Sequence, residues 1–150
     1  MKVEDIKREN FINLYNEKGE KHGLWEQYHS NSQLHFKGDY VDGKEHGLWE
    51  AYYYNGQLQY KGNYVAGKQH GYWEYYWDNG QLGFKGEWVN GKLHGYWESY
   101  YVNGKLKRKG YYDMGKRVDY NPDEPKIIEL TLTDIAVKFN IPVEQLRIKK

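Results

Sequence analysis

Residues 22–44 read HGLWEQYHSNSQLHFKGDYVDGK, and altered copies of this stretch begin at His46, His70 and His94. The copies therefore start 24 residues apart. Self-similarity at a short fixed period is the sequence signature of a repeat architecture, in which each copy folds as one small unit and packs on its neighbours. The sequence therefore predicts an array of equivalent units.

The same residue types recur in fixed columns of every copy. Each copy opens on His-Gly-x-Trp-Glu and ends on Gly-Lys. Two further columns lie between them: Leu34, Leu58, Leu82 and Leu106, and then Lys37, Lys61, Lys85 and Lys109, each followed by Gly. Because every unit must present the same faces to the next one, we interpret these columns as packing contacts between units.

An Asn-Gly pair divides each of the last three copies into two runs rich in Tyr, Trp and Leu, whereas the first copy has Asn31-Ser32. Asn-Gly between such runs predicts a β-hairpin with a two-residue type I′ turn, because that turn needs positive φ at both central residues. The connection to the next hairpin, Ala66 to Gly71 in the second copy, is predicted to be longer.

A two-residue turn at Asn55-Gly56 sets the register of the second hairpin. It pairs Tyr53 with Leu58, Glu50 with Lys61 and Trp49 with Gly62. An indole over a cross-strand glycine covers backbone that the glycine leaves bare, and the opposite charges meet on the other face. Alternation then predicts an apolar face with Trp49, Tyr53, Leu58, Tyr60 and Tyr64, and a polar face with Glu50, Lys61, Gln59 and a tyrosine row at Tyr28, Tyr52, Tyr76 and Tyr100.

The predicted fold class is mainly β: an elongated single-layer antiparallel meander of stacked hairpins with a small C-terminal helical element. All six Trp and all seventeen Gly lie between Gly19 and Gly115, and all three Pro lie beyond them. We therefore expect a repeat array over residues 1–118, then a linker, a short strand and a helix as a cap over residues 119–150. Thr131 and Asp134 resemble a capping box for that helix.

Composition excludes several classes of function. The chain has 150 residues, a net charge of +1 and no cysteine, which disfavours nucleic acid, anionic membranes, disulfides and thiolate metal sites. The absence of a signal-like N-terminus and of a long apolar run favours a cytoplasmic protein. The histidines at His22, His46, His70 and His94 lie on alternate strands about 10 Å apart, too far for a shared metal. We expect no cofactor.

The repeat resembles the MORN repeat, (Tyr/Phe)-x-Gly-x-(Tyr/Trp)-x-x-Gly-Lys-x-x-Gly. This pattern runs from Phe36 to Gly47, from Tyr60 to Gly71 and from Phe84 to Gly95. The adjoining Trp-Glu-x-Tyr and Asn-Gly-(Gln/Lys)-Leu resemble more closely the bacterial MORN variant that is described as the antitoxin component of a toxin–antitoxin module. The resemblance implies an elongated hairpin array that binds without catalysis.

Slots that differ between copies are free to fit a partner, whereas constant slots serve packing. This reasoning selects Tyr53, Trp77 and Tyr101, with the tyrosine row Tyr28, Tyr52, Tyr76 and Tyr100, as protein-binding residues. Exposed aromatic side chains on a rigid sheet bind proteins well, because they carry large area at low entropic cost. Nucleic-acid bases and sugars also stack on aromatics, but single strands need a basic groove and each Glu here faces a Lys.

The predicted function is therefore a non-enzymatic protein that binds and masks another protein, such as a toxin, an effector or a host factor. An antitoxin, immunity protein or inhibitor would act in this way. Two alternatives stay open. One is a membrane-surface adaptor, which the balanced charge disfavours, and the other is a homo-oligomeric scaffold, for instance a homodimer, that pairs its apolar faces.

Overall fold

The computed structural model describes residues 12–124 and Pro142, and these residues form ten β-strands. The strands are β1 Leu14–Tyr15, β2 Lys21–Tyr28, β3 Leu34–Val41, β4 Lys44–Tyr52, β5 Leu58–Val65, β6 Lys68–Tyr76, β7 Leu82–Val89, β8 Lys92–Tyr100, β9 Leu106–Asp113 and β10 Lys116–Val118. All ten belong to one antiparallel sheet in sequence order, which confirms the predicted meander. The strand predicted at residues 127–130 and the helix predicted after Thr131 lie outside the described residues.

The predicted register is confirmed through the middle of every hairpin. Trp49 is the partner of Gly62 and Glu50 is the partner of Lys61 across β4 and β5. The same pairs recur in the other three hairpins: Trp25–Gly38 and Glu26–Lys37, Trp73–Gly86 and Glu74–Lys85, Trp97–Gly110 and Glu98–Lys109. Each of the four hairpins is therefore built to one plan.

The Asn-Gly loop is not the predicted two-residue turn. Gly56 N–H donates to the Tyr53 carbonyl at 2.8 Å, and Tyr53 N–H donates to the Gln57 carbonyl at 2.8 Å. Only Gly56 has positive φ (81°), so the loop has three residues with a left-handed residue in third place. Asn55 instead closes an Asx turn, in which its side-chain oxygen accepts from Gln57 N–H at 3.0 Å.

The two-residue turns lie at the other end of the strands, where a longer connection was predicted. Asp42 (φ 47°) and Gly43 (φ 75°) link Val41 to Lys44, which pair directly, and both positive φ values indicate type I′ geometry. The three later copies place Ala66-Gly67, Asn90-Gly91 and Met114-Gly115 there. Ala and Met do not favour left-handed backbone, so their sequence carries no I′ signal, and pairing of the flanking strands imposes the conformation.

A bulge in each hairpin compensates for the extra loop residue. Tyr52 pairs with Leu58 whereas Ala51 pairs with Tyr60, so Gln59 has no partner across the sheet. The bulge restores the register beyond it, which is why the predicted Trp–Gly and Glu–Lys pairs are correct. It also reverses one assignment: Leu58 lies on the face of Tyr52 and Glu50, so its predicted pairing with Tyr53 on the apolar face is wrong.

The side that carries Trp49, Ala51 and Tyr60 is hereafter the tryptophan face, and the side that carries Glu50, Tyr52 and Lys61 is the ladder face. The described core lies on the tryptophan face: Tyr40, Trp49, Ala51, Trp73 and Trp97 are its buried apolar residues. Trp73 has no exposed surface at all. Because a single layer has no opposite wall, rings of adjacent hairpins cover one another, as Tyr64 does edge-on against Trp73 at 4.9 Å.

The indoles of Trp49 and Trp73 do not lie over their register partners as predicted. Each lies over the glycine of the preceding hairpin: a Cβ on Gly38 would approach Trp49 to 2.3 Å, and one on Gly62 would approach Trp73 to 2.1 Å. Each indole N–H then donates to a carbonyl of that hairpin, from Trp49 to Asp39 and from Trp73 to Asn63, both at 3.1 Å. The tryptophan therefore joins two hairpins instead of closing its own.

Candidate protein-binding surface

A lysine, a glutamate and a tyrosine form one unit on the ladder face at each junction between hairpins. Lys37 Nζ lies 2.7 Å from Glu50 Oε2, and the Tyr52 hydroxyl donates to the same oxygen at 3.0 Å. The unit recurs with Lys61, Glu74 and Tyr76, and then with Lys85, Glu98 and Tyr100. The predicted ion pair of Glu50 with Lys61 is wrong, because the lysine of the preceding hairpin takes the carboxylate.

The contacts of Glu50 and Glu98 hold these two carboxylates as anions. The hydrogen bond from Lys37 lowers the pKa of Glu50, and the hydrogen bonds from Lys85 and Tyr100 lower the pKa of Glu98 to about 2. The same bond raises the pKa of Lys85 above its ordinary value. A carboxylate ionised this firmly is a poor proton donor near neutral pH. We therefore interpret the three Lys–Glu–Tyr units, hereafter the ladder, as contacts that hold neighbouring hairpins together.

The predicted tyrosine row is largely part of this ladder. Tyr52, Tyr76 and Tyr100 are half-buried, and burial is the first cause that raises the pKa of Tyr52 and Tyr76. Tyr28, at the first hairpin, is 53% exposed and donates to Glu26 of its own strand at 2.6 Å. Tyr28 therefore offers the most ring surface of the row.

In the first three copies, the side chain at the slot of Tyr53, Trp77 and Tyr101 links one hairpin to the next. The Tyr53 hydroxyl donates to the Tyr76 carbonyl at 2.7 Å, and Trp77 Nε1 donates to the Tyr100 carbonyl at 3.3 Å. Three side chains of different chemistry share this role, since His29 Nε2 lies 2.9 Å from the Tyr52 carbonyl in the first copy. The residues that alternate at this slot are therefore all hydrogen-bond donors, so the variation there does not reflect freedom to fit a partner alone.

The structure brings three of the predicted residues together at one groove on the tryptophan face, although the Tyr76 hydroxyl itself lies on the ladder face with Glu74. Tyr53, Tyr76 and Trp77 line a groove of about 340 Å³ with Gln59, Tyr60, Tyr75, Gly83 and Phe84. Trp77 is 40% exposed at its rim. Tyr101 is 50% exposed but does not line this groove, and Lys107 Nζ lies 5.4 Å from its ring centre.

Sequence reasoning missed Gly83, the residue that leaves room for the Trp77 indole. Gly83 occupies the bulge slot of the third hairpin, and a Cβ there would lie 3.1 Å from two atoms of that indole. Its departure from His35 and Gln59 in the matching slot was the available signal, because a glycine in a strand marks a bulge or a close approach.

The ladder face carries a second exposed set that no prediction named. Leu48, Tyr72 and Tyr96 occupy one column of the repeat and are 54%, 48% and 40% exposed. Leu48 and Leu24 also line a shallow groove of about 570 Å³ beside the first two hairpins. The column holds Leu or Tyr in all four copies. This regular row of large side chains on the face of the charged residues was the signal that the sequence offered.

The histidine column does not converge on one point. His94 lies between two carboxylates, with Nε2 3.2 Å from Oδ1 of Asp123 and Nδ1 3.5 Å from Oδ1 of Asp113 at the end of β9. No group of three or more His, Cys, Asp or Glu side chains that could hold a metal occurs among residues 12–124. The same part of the chain contains no helix long and apolar enough to cross a membrane.

Comparison with known families gives one match. The profile described as "MORN repeat variant" matches residues 21–42, 45–66, 69–90 and 93–114, which together make up more than half of the chain. Each matched segment spans one Trp-bearing strand, the following Asn-Gly or Asn-Ser loop and the next strand. No curated protein matches the chain.

Proposed function

The chain belongs to the family described as the MORN repeat variant, and from this premise we propose that it is a non-enzymatic repeat protein that binds and masks another protein. The observation that carries the proposal is the aromatic groove between Tyr53 and Trp77. An antitoxin, an immunity protein or an inhibitor works by such occlusion. Among the described residues, no aromatic groove favours the alternatives of a membrane-surface adaptor and a homo-oligomeric scaffold.

The chemistry of the groove supports a protein ligand. Aromatic rings form most of its lining, and the rim residue Trp77 is hydrogen-bonded to the backbone of the next hairpin, so the ring is held in place before binding. Preorganised Trp and Tyr side chains around a concave apolar site are the typical anchors of protein interfaces, because little rotamer entropy is lost when they bind. The groove suits an apolar or aromatic side chain of the partner.

Affinity capture from the native host, with the purified chain as bait, tests this proposal. Wild-type protein should retain a specific protein, and addition of the bait should suppress that protein's own activity in a purified assay. Trp77→Ala should lose at least about tenfold in affinity, as interface anchors do on truncation. Tyr72→Ala is the matched control, because it removes an exposed aromatic ring from the opposite face.

Two results would contradict the proposal. One is capture of a partner whose affinity falls equally in the Trp77→Ala and Tyr72→Ala proteins, which would separate binding from the groove. The other is a captured partner that stays fully active when the chain is bound, which would leave binding without masking.

A further inference from the structure

The two edges of the sheet are protected to different degrees. At the first edge, β1 pairs with Lys21 and His22 of β2, and Asn13 continues the cover: its N–H donates to the Leu24 carbonyl at 2.8 Å and its side-chain oxygen accepts from Glu26 N–H at 2.9 Å. At the other edge, β10 pairs only with Tyr111 to Asp113. Residues 106–110 of β9 have no strand partner on that side among the described residues.

The uncovered part of β9 and the loop residue before it are strongly basic. Residues 105–109 read KLKRK and every one of them is exposed, whereas the matching stretch of the third copy, residues 81–85, reads QLGFK. Three cations have thus been added where the strand faces solvent. None of the four, Lys105, Lys107, Arg108 and Lys109, forms an ion pair with any residue of the described chain.

Lys109 also differs from its equivalents, because no carboxylate among residues 12–124 forms an ion pair with it. The lysine of this column in each earlier hairpin takes a glutamate from the strand added after it: the Nζ–Oε2 distances are 2.7, 2.8 and 2.6 Å for Lys37–Glu50, Lys61–Glu74 and Lys85–Glu98. No strand follows beside Lys109 among the described residues. Within the described residues, the array therefore ends with the cationic, donating half of a contact that it uses three times.

Apolar surface adjoins this edge. Leu106 is 46% exposed, Tyr101 is 50% exposed and Val102 is 55% exposed, and Tyr100 pairs with Leu106 across β8 and β9. An added strand alternates its side chains between the two faces. It can thus place carboxylates on the ladder side, where Lys109 lies, and apolar side chains on the opposite side.

We infer that the open edge of β9, residues 106–110, binds an extended acidic segment of a partner protein as an additional strand, with a carboxylate of that segment on Lys109. The inference rests on the proposed function and names a second contact surface for it. Unpaired N–H and C=O groups along a strand edge bind a polypeptide backbone, which neither a nucleic acid nor a lipid supplies. An alternative role of the cations is to protect the strand edge against aggregation, and that role predicts no binding of a peptide.

Synthetic peptides test the inference directly on the purified full chain. The probe is a labelled heptapeptide in which Glu alternates with Val, measured by fluorescence anisotropy at physiological ionic strength. A peptide of the same sequence with N-methylated backbone amides keeps the charge but cannot pair, and a single-stranded oligonucleotide supplies charge without a peptide backbone. We expect saturable binding of the unmodified peptide alone and slowed amide exchange in residues 106–110.

Variants locate the site. Lys109→Gln removes one exposed charge, leaves the strand intact and should weaken binding by about tenfold, as the loss of one charge-assisted hydrogen bond does. Lys68→Gln, at the exposed start of β6 by the two-residue turn, should leave the affinity unchanged. Circular dichroism of each variant establishes that the sheet is intact.

Three outcomes would overturn the inference. They are the absence of binding, equal binding of the N-methylated peptide or the oligonucleotide, and binding that leaves exchange at residues 106–110 unchanged. The proposed function is tested separately by the groove variant Trp77→Ala. A partner captured through the groove by a chain that ignores the acidic peptide would reject the strand addition alone.

Discussion

The junctions inside the array and the fourth hairpin carry the same residue types, but the tryptophan makes different contacts in the two regions. Inside the array, the Trp73 indole lies over Gly62 and donates to the Asn63 carbonyl. In the fourth hairpin, Trp97 Nε1 is buried without a hydrogen-bond partner in the described chain and lies 3.3 Å from where a Cβ on Gly110 would be. Among the three core tryptophans, Trp97 thus comes nearest to the predicted position over its own register partner.

The difference has a local cause. Leu93 Cδ1 would be 3.1 Å from a Cβ on Gly86, so this side chain fills the space that an indole occupies at earlier junctions. The matching residues of the previous copies are Glu45 and Gln69. One apolar substitution in a variable slot therefore redirects a tryptophan that the repeat pattern holds constant. The repeat thus determines which residue type occupies a position, and the neighbouring residues determine what its side chain contacts.

The largest contrast should come from adding a methyl group under the indoles. Gly62→Ala places a Cβ 2.1 Å from the Trp73 ring, whereas Gly110→Ala places one 3.3 Å from Trp97 Nε1. We expect Gly62→Ala to cost about 3 kcal/mol in the free energy of unfolding and Gly110→Ala less than about 1 kcal/mol. Urea denaturation followed by tryptophan fluorescence measures both, and equal losses would show that the two indoles are packed alike.

Removal of the indole N–H should also separate the two regions. Trp73→Phe leaves the Asn63 carbonyl without its donor in a partly buried hydrogen bond, whereas Trp97→Phe removes a donor that has no acceptor in the described chain. Both variants lose ring volume, so their difference isolates the hydrogen bond. We expect Trp73→Phe to be the more destabilising by about 1–2 kcal/mol in denaturant unfolding. A larger loss for Trp97→Phe would contradict this account of the fourth hairpin.

The asparagines of the loops provide a milder version of the same test. Asn79 Nδ2 donates to the Val102 carbonyl of the next hairpin at 3.0 Å, in addition to the Asx turn made by its oxygen. Asn103 makes the Asx turn but no such bond within the described residues. Asn79→Ala should therefore cost about 1 kcal/mol more in thermal or denaturant unfolding than Asn103→Ala. Indistinguishable losses would mean that the loop-to-loop bond contributes nothing.

The smallest expected effect concerns the Lys–Glu–Tyr units. They should contribute to the way in which the free energy of unfolding falls at acid pH, the acid limb of the stability curve. The folded pKa of Glu98 is about 2, below the ordinary value of about 4.3, so its contribution is present above pH ~4.3 and is lost as the pH falls toward 2. Because the pair is partly exposed, we expect it to contribute less than about 1 kcal/mol. Glu98→Gln should flatten the acid limb more than Glu26→Gln, whose position has no ion-paired lysine in the described chain.

An unchanged acid limb in Glu98→Gln would show that the Lys85 contact is replaced by solvent at no cost. Potentiometric or NMR titration of the wild-type carboxylates provides the independent check. A Glu98 that titrates near its ordinary pKa would remove the basis of the prediction.

The register was predictable because two unpredicted features, the extra loop residue and the bulge, cancel each other. The Asn-Gly loop has one residue more than expected, and the bulge at Gln59 adds a residue to the opposite strand. The Trp–Gly and Glu–Lys columns constrain the middle of the hairpin, so any turn geometry must deliver that pairing. The loop type was beyond sequence reasoning, because Asn favours the Asx turn and the type I′ turn alike.

The candidate site was predictable only in part. Aromatic composition and the variable slot indicate Tyr53 and Trp77, and the structure places both at one groove with Tyr76. The floor of that groove combines residues of adjacent hairpins, such as Tyr60 and Phe84. A sequence read one repeat at a time does not contain this juxtaposition, because it depends on the twist of the sheet and on ring orientation.

By itself, the amino-acid sequence determined the repeat period, the strands and the central register of each hairpin, since alternation and a 24-residue self-similarity are properties of one repeat. Only the tertiary structure decided the direction of each contact. Trp49 and Glu50 have a glycine and a lysine on both flanking strands, and both bind the preceding hairpin. A repetitive sequence offers the same partner on either side, so side-chain direction and the packing of neighbouring rings make the choice.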